Sequence, residues 1–256
     1  MKLFLGIPSA GTPAQPFLDS LTHLRLPPAI ERFERAVVTG NYIPAQRDLI
    51  VERALESGAD LLLMCDDDMV LPPDAIAGLL SALEDDRRAA IAGALYYSRD
   101  GFRPMAVDRW DSKDTRNAVV PGFDTDPVAV DGVGFGCVAI RTSVLREVMP
   151  PYFSAHVFVQ RGAGRVRVCD EDYLFCERLR RGGHRVLLVP GVRCGHYDRQ
   201  TSAIVPLAWE MPAATANPRM AVINENGHMM LVPAQDSQGS TPEAHVHAEL
   251  NYIIVP

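Results

Sequence analysis

No stretch of the 256 residues approaches the roughly 20 consecutive apolar residues that a membrane-spanning helix requires. The apolar run nearest the N-terminus, Leu3–Ile7, is five residues long, too short for a signal-peptide core, and reads as a first strand. A basic excess is also missing. Lys and Arg number 25 against 32 Asp and Glu, a net charge of −7, which excludes a protein that grips nucleic acid non-specifically through its phosphates. The five cysteines are odd in number and lack a scaffold spacing. Cys65 and Cys137 lie inside apolar runs, where a free thiol behaves as a small hydrophobe. Cysteine usage of this kind fits a reducing, cytoplasmic compartment. Internal repeats are absent, and 47% hydrophobic with 22% charged residues excludes a disordered chain.

What is present is an alternation of strand and helix signals. Lys2–Ile7 is apolar and closed by Pro8, Gly11 and Pro13, so it reads as a strand followed by a loop. Ala36–Thr39 reads as a second strand. A helix is expected from Pro44 to Gly58, with proline suited to its first turn. Leu61–Cys65 is continuously apolar, as a central strand covered on both faces should be. A helix after Pro72-Pro73 and a strand over Ala89–Ala94 follow. Single helices between strands predict right-handed crossovers and a mostly parallel sheet. Further on, strands are expected at Val128–Val133, Cys137–Arg141 and Arg185–Val189, a hairpin around Arg161–Gly164, and a helix from Asp170 to Arg181. From about residue 201 the composition turns to Ala, Pro, Met and Asn, with extended runs on either side of Glu225-Asn226-Gly227. These features predict an α/β domain over 1–200 and a small β-rich extension over 201–256.

Three clusters carry chemistry. Asp66-Asp67-Asp68 ends the Leu61–Cys65 strand, and ligands of open α/β sheets bind at such carboxyl ends. If strand alternation persisted, Asp66 and Asp68 would project together, and two converging carboxylates call for a hard divalent cation, Mg²⁺ or Mn²⁺. The simpler alternative is an acidic loop capping the next helix. Asp170-Glu171-Asp172-Tyr173 opens a helix; one acid could cap it, whereas a further one could serve as general base for an acceptor hydroxyl. Cys194-Gly195-His196 follows the last core strand, where a neutral imidazole suits a divalent ion. A zinc site of Cys169, Cys176, Cys194 and His196 lacks the usual spacing. Arg47 reads either as an exposed helix arginine or as a phosphate contact. Gly132, Gly134 and Gly136 alternate, permitting close approach by a ligand or by packing. Between Arg161 and Arg199 nine arginines face five carboxylates, a solvated helix face or a phosphate-facing one.

The order of these elements, with Leu-Leu-Leu-Met-Cys-Asp-Asp-Asp, the glycine-rich strand pair, the Asp-Glu-Asp-Tyr helix and Val-Pro-Gly-Val-Arg-Cys-Gly-His, resembles a GT-A-fold glycosyltransferase of the family 2 type. The resemblance covers residues 1–200. It implies a Rossmann-like, mostly parallel sheet flanked by helices and hexosyl transfer from a nucleoside-diphosphate sugar to an acceptor hydroxyl on a glycan, a small molecule or modified DNA. It assigns Asp68, Asp66 and His196 to Mn²⁺ or Mg²⁺. Pro8, Ser9, Arg47, Asp66 and Asp67 fall on the nucleotide sugar. Asp172, beside Glu171, is the base of an inverting transfer, and Gly134 and Asp170 border the acceptor. The extension offers a surface for self-association. Two other functions compete. A metal-dependent nucleotidyltransferase would carry a basic glycine loop after the first strand, but Pro8–Pro16 contains neither Lys nor Arg. A silent nucleotide- or carbohydrate-binding relative would have no chemical need for all three clusters.

Overall fold

The computed structural model describes residues 1–99, 103–108, 118–119, 126–154, 156–160, 165–205, 223–225 and 228–230. Its elements run β1 (Lys2–Ser9), α1 (Gln15–His23), β2 (Arg32–Thr39), α2 (Ile43–Glu56), β3 (Leu61–Cys65), β4 (Met69–Val70), α3 (Ala75–Asp85) and β5 (Ala89–Leu95). Then come β6 (Ala106–Asp108), β7 (Ala118–Val119), β8 (Val128–Val130), β9 (Gly132–Val133), β10 (Cys137–Arg141) and α4 (Thr142–Leu145). The chain continues through β11 (His156–Gln160), β12 (Arg165–Cys169), α5 (Glu171–Arg181), β13 (Arg185–Arg193), β14 (Gly195–Asp198) and β15 (Ala203–Val205). Two short strands, β16 (Ile223–Glu225) and β17 (His228–Met230), pair antiparallel. The rest of the expected extension, 206–222, 226–227 and 231–256, lies outside the described residues, as does the tip of the 161–164 hairpin.

A seven-stranded sheet in the order β2-β1-β3-β10-β5-β13-β8 forms the centre. β2, β1, β3, β5 and β13 run the same way, and β10 and β8 oppose them. The sheet is therefore mixed but mostly parallel. Period-two alternation divides its side chains between two cores. Leu3, Leu5, Ile7, Leu61, Leu63 and Ala139 face Phe17 of α1 and Ile76, Leu79 and Leu83 of α3. Phe4, Leu62, Met64, Val138 and Ile140 face Ile50, Val51 and Ala54 of α2 and Phe175 and Leu179 of α5. Both faces are covered, which is why β3 reads as an unbroken apolar run.

Two elements differ from the sequence reading. α1 occupies part of the stretch read as loop; it has a proline in its first turn and buries Phe17 and Ser20. β2 begins at Arg32, four residues before the expected strand, because pairing to β1 from Lys2↔Arg32 to Ser9↔Thr39 carries an otherwise exposed, charged segment. The arginines of α5 do more than complement its negative end. Arg178 donates to the carbonyls of Met149, Pro151 and Tyr152, and Arg180 pairs with Asp131 at 2.9 Å. These two arginines of the basic segment are spent on holding loops.

Close packing sets a first prediction. A Cβ at Gly6 would stand 2.1 Å from Cγ2 of the fully buried Ile50, where β1 meets α2. Gly6→Ala is expected to lower stability by about 1–3 kcal/mol, as overpacking of a dense core does, measured by urea unfolding at unchanged m-value.

Candidate active site

The carboxyl ends of β1 and β3, the start of α5 and strand β14 meet at one edge of the sheet. Strand geometry ends at Cys65, and the chain turns at Asp67-Asp68 before pairing again as β4. The three aspartates therefore do not alternate as a continuing strand would, and each has its own partners. Asp66 accepts from Arg47 Nη2 at 3.0 and 3.3 Å. Asp67 accepts from Ser9 Oγ at 2.5 Å and from Arg199 Nη2 at 3.1 Å. Asp68 accepts from Arg99 Nη2 at 2.5 Å and lies 3.5 Å from Nε2 of His196.

Pairing of β4 with β14 brings His196 opposite Met69. Its Nδ1 lies 2.8 Å from the carbonyl of Tyr97, a contact that orients the ring with Nε2 toward Asp68. Burial works against ionisation of Asp68, but hydrogen bonding from His196 and Arg99 outweighs it and holds the carboxyl below its ordinary value. Asp68 and His196 are the two residues that could hold a divalent ion, should one bind at this edge. Asp66, expected as a third ligand, is turned to Arg47 instead. Among the described residues, no group of three His, Cys, Asp or Glu side chains is placed to hold a metal.

Arg47, read either as a surface arginine or as a phosphate contact, is 4% exposed. Its Nη1 donates to Glu171 at 2.6 Å while Nη2 holds Asp66, and its guanidinium lies 5.4 Å from the centre of the Phe135 ring. Its buried Nε has no partner among the described residues. Burial disfavours its charge, yet Asp66, Glu171 and Asp172 raise its proton affinity above the ordinary value. Arg47 is thus an internal bridge between the strand-end triplet and the α5 acids, 124 positions apart in the chain for Arg47 and Glu171.

At the start of α5, Asp170 is the exposed N-cap residue and Glu171 and Asp172 fill the first turn. Asp172 is 8% exposed, and its Oδ1 accepts from the Tyr173 amide at 2.7 Å. Burial pushes its carboxyl up to about 7, opposed by Arg47 and helped by Glu171 and Asp170. A carboxylate poised near neutrality, beside other acids at a sheet edge, has the character of a general base. Burial also raises Asp66, although Arg47 pulls it back.

Ser9, at the end of β1, reaches the site through Asp67; Pro8 is buried inside β1 opposite Val38. Around Gly134 and Gly136 the structure decides in favour of packing. Cβ atoms there would stand 2.2 Å from Tyr96 Oη and 2.7 Å from Tyr96 Cζ. The Tyr96 hydroxyl accepts from the Gly136 amide at 3.0 Å, and its ring meets His196 edge-on at 5.7 Å. Tyr96, Arg99 and Arg199 are site residues that sequence reasoning missed. Arg99 lies in a stretch, 96–127, rich in Asp, Arg, Pro and Gly, and Arg199 ends the basic segment; those compositions were their signal. Tyr96 had none. Among the described residues no zinc site forms from the set weighed in the sequence: Cys176 bonds toward the Val133 carbonyl and Cys194 is buried, while the Cys169 side chain lies outside the described residues.

No protein-family model matches the chain, and no curated protein matches it. Solved structures do. A197 from STIV superposes with a TM-score of 0.56 at 18% identity, over 80% of this chain and 93% of that one. GalNAc-T7 with UDP, GalNAc and Mn²⁺ superposes with a TM-score of 0.53 at 15% identity, over 76% of this chain. The chain spans 43% of that glycosyltransferase. At these identities the likeness is one of fold: a GT-A-like, Rossmann-type α/β domain with a large, mostly parallel sheet flanked by helices. No helix among the described residues is long and apolar enough to cross a membrane.

Proposed function

We propose that the protein is a metal-dependent glycosyltransferase that moves a sugar from a nucleoside-diphosphate sugar to an acceptor hydroxyl with inversion at the anomeric carbon. The observation that carries this reading is the Arg47 bridge. Through Asp66 and Glu171 it joins the strand-end triplet to the α5 acids, so a leaving-group side and a base side share one site. The likeness of fold to GalNAc-T7, which is described with UDP and Mn²⁺, supports it.

Asp68 and His196 are the residues that would hold Mn²⁺ or Mg²⁺. Such an ion supplies charge stabilisation to a departing diphosphate. Asp66, locked by Arg47, and Asp67, locked by Ser9 and Arg199, keep the rim of that site fixed and leave less reorganisation for the reaction itself. Arg99 sits on Asp68, a guanidinium within reach of a diphosphate bound at that rim. Asp172 takes the acceptor proton as the new glycosidic bond forms. Its elevated proton affinity suits that role, since the proton must be accepted from a hydroxyl and released near neutrality.

Calorimetric titration of a panel of nucleoside diphosphates and sugar nucleotides, with and without Mn²⁺, tests the reading. One nucleotide is expected to bind tightly only with the ion. Asp68→Asn is expected to weaken that binding beyond the roughly 10–100-fold that loss of an outer-shell metal partner costs. Folded protein that binds none of the panel, with or without the ion, would remove the donor site.

A further inference from the structure

The free edge of the central sheet carries a charge pattern that reads the same against its own reverse. Among the described residues β2 ends the strand order and pairs only with β1, and most of its side chains are exposed. Phe33 is 38% and Val37 45% exposed, large apolar side chains on a long open edge. Such edges are normally blunted or covered, because their unpaired amides and carbonyls template another strand. The segment at the start of this edge is Glu31-Arg32-Phe33-Glu34-Arg35.

Antiparallel pairing of two such edges about a two-fold axis perpendicular to the sheet keeps each side chain on its own face, so only same-parity residues can oppose. Centred on Phe33, this register sets Arg32 against Glu34 and Glu31 against Arg35, each twice, with Phe33 against Phe33. All four charge pairs are complementary. Centring on Arg32, Glu34 or Arg35 instead puts like charges on the axis, which is destabilising. Centring on Val37 brings no complementary charges together. Two of the acids already sit beside cations in their own chain: Glu34 pairs with Lys2 Nζ at 2.7 Å and Glu31 with the terminal amine at 3.5 Å. Arg32 and Arg35 of a second copy would extend those pairs into short networks across the axis.

We infer that the β2 edge is a self-association surface, where a second copy of this chain adds its own β2 antiparallel in the register centred on Phe33. Main-chain hydrogen bonds and the covered Phe33 supply the attraction. The exposed ion pairs, each worth little alone, select the register. This surface lies on the 1–200 domain, not on the extension from which self-association was expected.

Sedimentation equilibrium of the full chain, with oxidative cross-linking of Phe33→Cys, tests the inference. The mass is expected to rise from 28.1 kDa toward twice that value with concentration, and the dissociation constant to increase in 1 M salt. Arg35→Glu opposes two Glu pairs and is expected to weaken association roughly tenfold or more. Glu31→Arg combined with Arg35→Glu restores complementarity and is expected to recover it. Phe33→Cys is expected to form a disulfide joining position 33 of both copies, mapped by mass spectrometry, with the unsubstituted chain as control. A chain that stays monomeric to about 0.3 mM overturns the proposal, as does a dimer indifferent to Arg35→Glu. Cross-linking through Val37→Cys in place of Phe33→Cys overturns the register. Far-ultraviolet circular dichroism of each variant keeps loss of folding apart from loss of association.

Discussion

Asp172→Asn is expected to lower turnover about 10²–10⁴-fold, the range that a positioned general base contributes, while nucleoside-diphosphate binding with Mn²⁺ stays within a few-fold of the parent. The carboxamide keeps the size of the side chain and its contact with the Tyr173 amide at 2.7 Å but cannot accept a proton. Burial raises the carboxyl to about 7 from an ordinary 3.8, so the competent, ionised form is the minority below pH 7. Log kcat/KM should therefore climb with pH at unit slope up to about 7 and then level, and the climb should vanish in Asp172→Asn. The same shift has a thermodynamic sign. A carboxyl raised in the folded state binds more protons there than in the unfolded chain, so its contribution to stability is full below about pH 4 and is lost as pH rises to about 7. Asp172→Asn, which never ionises, should match or exceed the parent's Tm at pH 8, with no such gain at pH 4. Full turnover in a folded Asp172→Asn protein would end the assignment of the base.

The second large effect is on stability. Arg47→Met is expected to destabilise the fold by about 3–5 kcal/mol, the cost of leaving buried charge without its partner. For a domain of this size that is a Tm fall on the order of 10 °C. Arg47 is 4% exposed and holds Asp66 at 3.0 Å and Glu171 at 2.6 Å; methionine fills the space and strands both acids. Arg47→Lys should recover little, because one ammonium cannot present two parallel donors to two carboxylates. Adding Glu171→Gln to Arg47→Met should return part of the loss, a coupling that a double-mutant cycle measures directly. Acidification should narrow the gap between Arg47→Met and the parent as the stranded carboxylates protonate. A Tm within about 2 °C of the parent at pH 7 would mean that water, not Arg47, satisfies those acids.

Local periodicity determined much of the architecture. Leu61–Cys65 and Cys137–Ile140 are apolar because both sheet faces are covered, and the acid triplet, the α5 acids and His196 are legible as the ends of elements that such runs define. Where no burial imposes a pattern, the reading fell short: Arg32–Arg35 of β2 lie on an exposed edge, and the nine-residue α1 opens just after Pro13 with a second proline in its own first turn, so its start reads as loop. Strand alternation carried past Cys65 misplaced Asp66 relative to Asp68, because the backbone turns there and alternation holds only while it stays extended.

Tertiary structure alone decided which cation neutralises which acid. Arg47 reaches Glu171 across 124 positions, Arg199 reaches Asp67 across 132, and the Tyr96 hydroxyl fills the space at Gly134. None of these pairings leaves a trace at short sequence separation. The charge state of Asp172 has the same origin: its neighbours Asp170 and Glu171 are legible in the chain, but the burial that lifts its carboxyl toward neutrality arises only when α5 docks on the sheet. Residue type and spacing set where ionisable groups fall along the elements; desolvation and long-range pairing, which exist only in the packed chain, set what those groups can do.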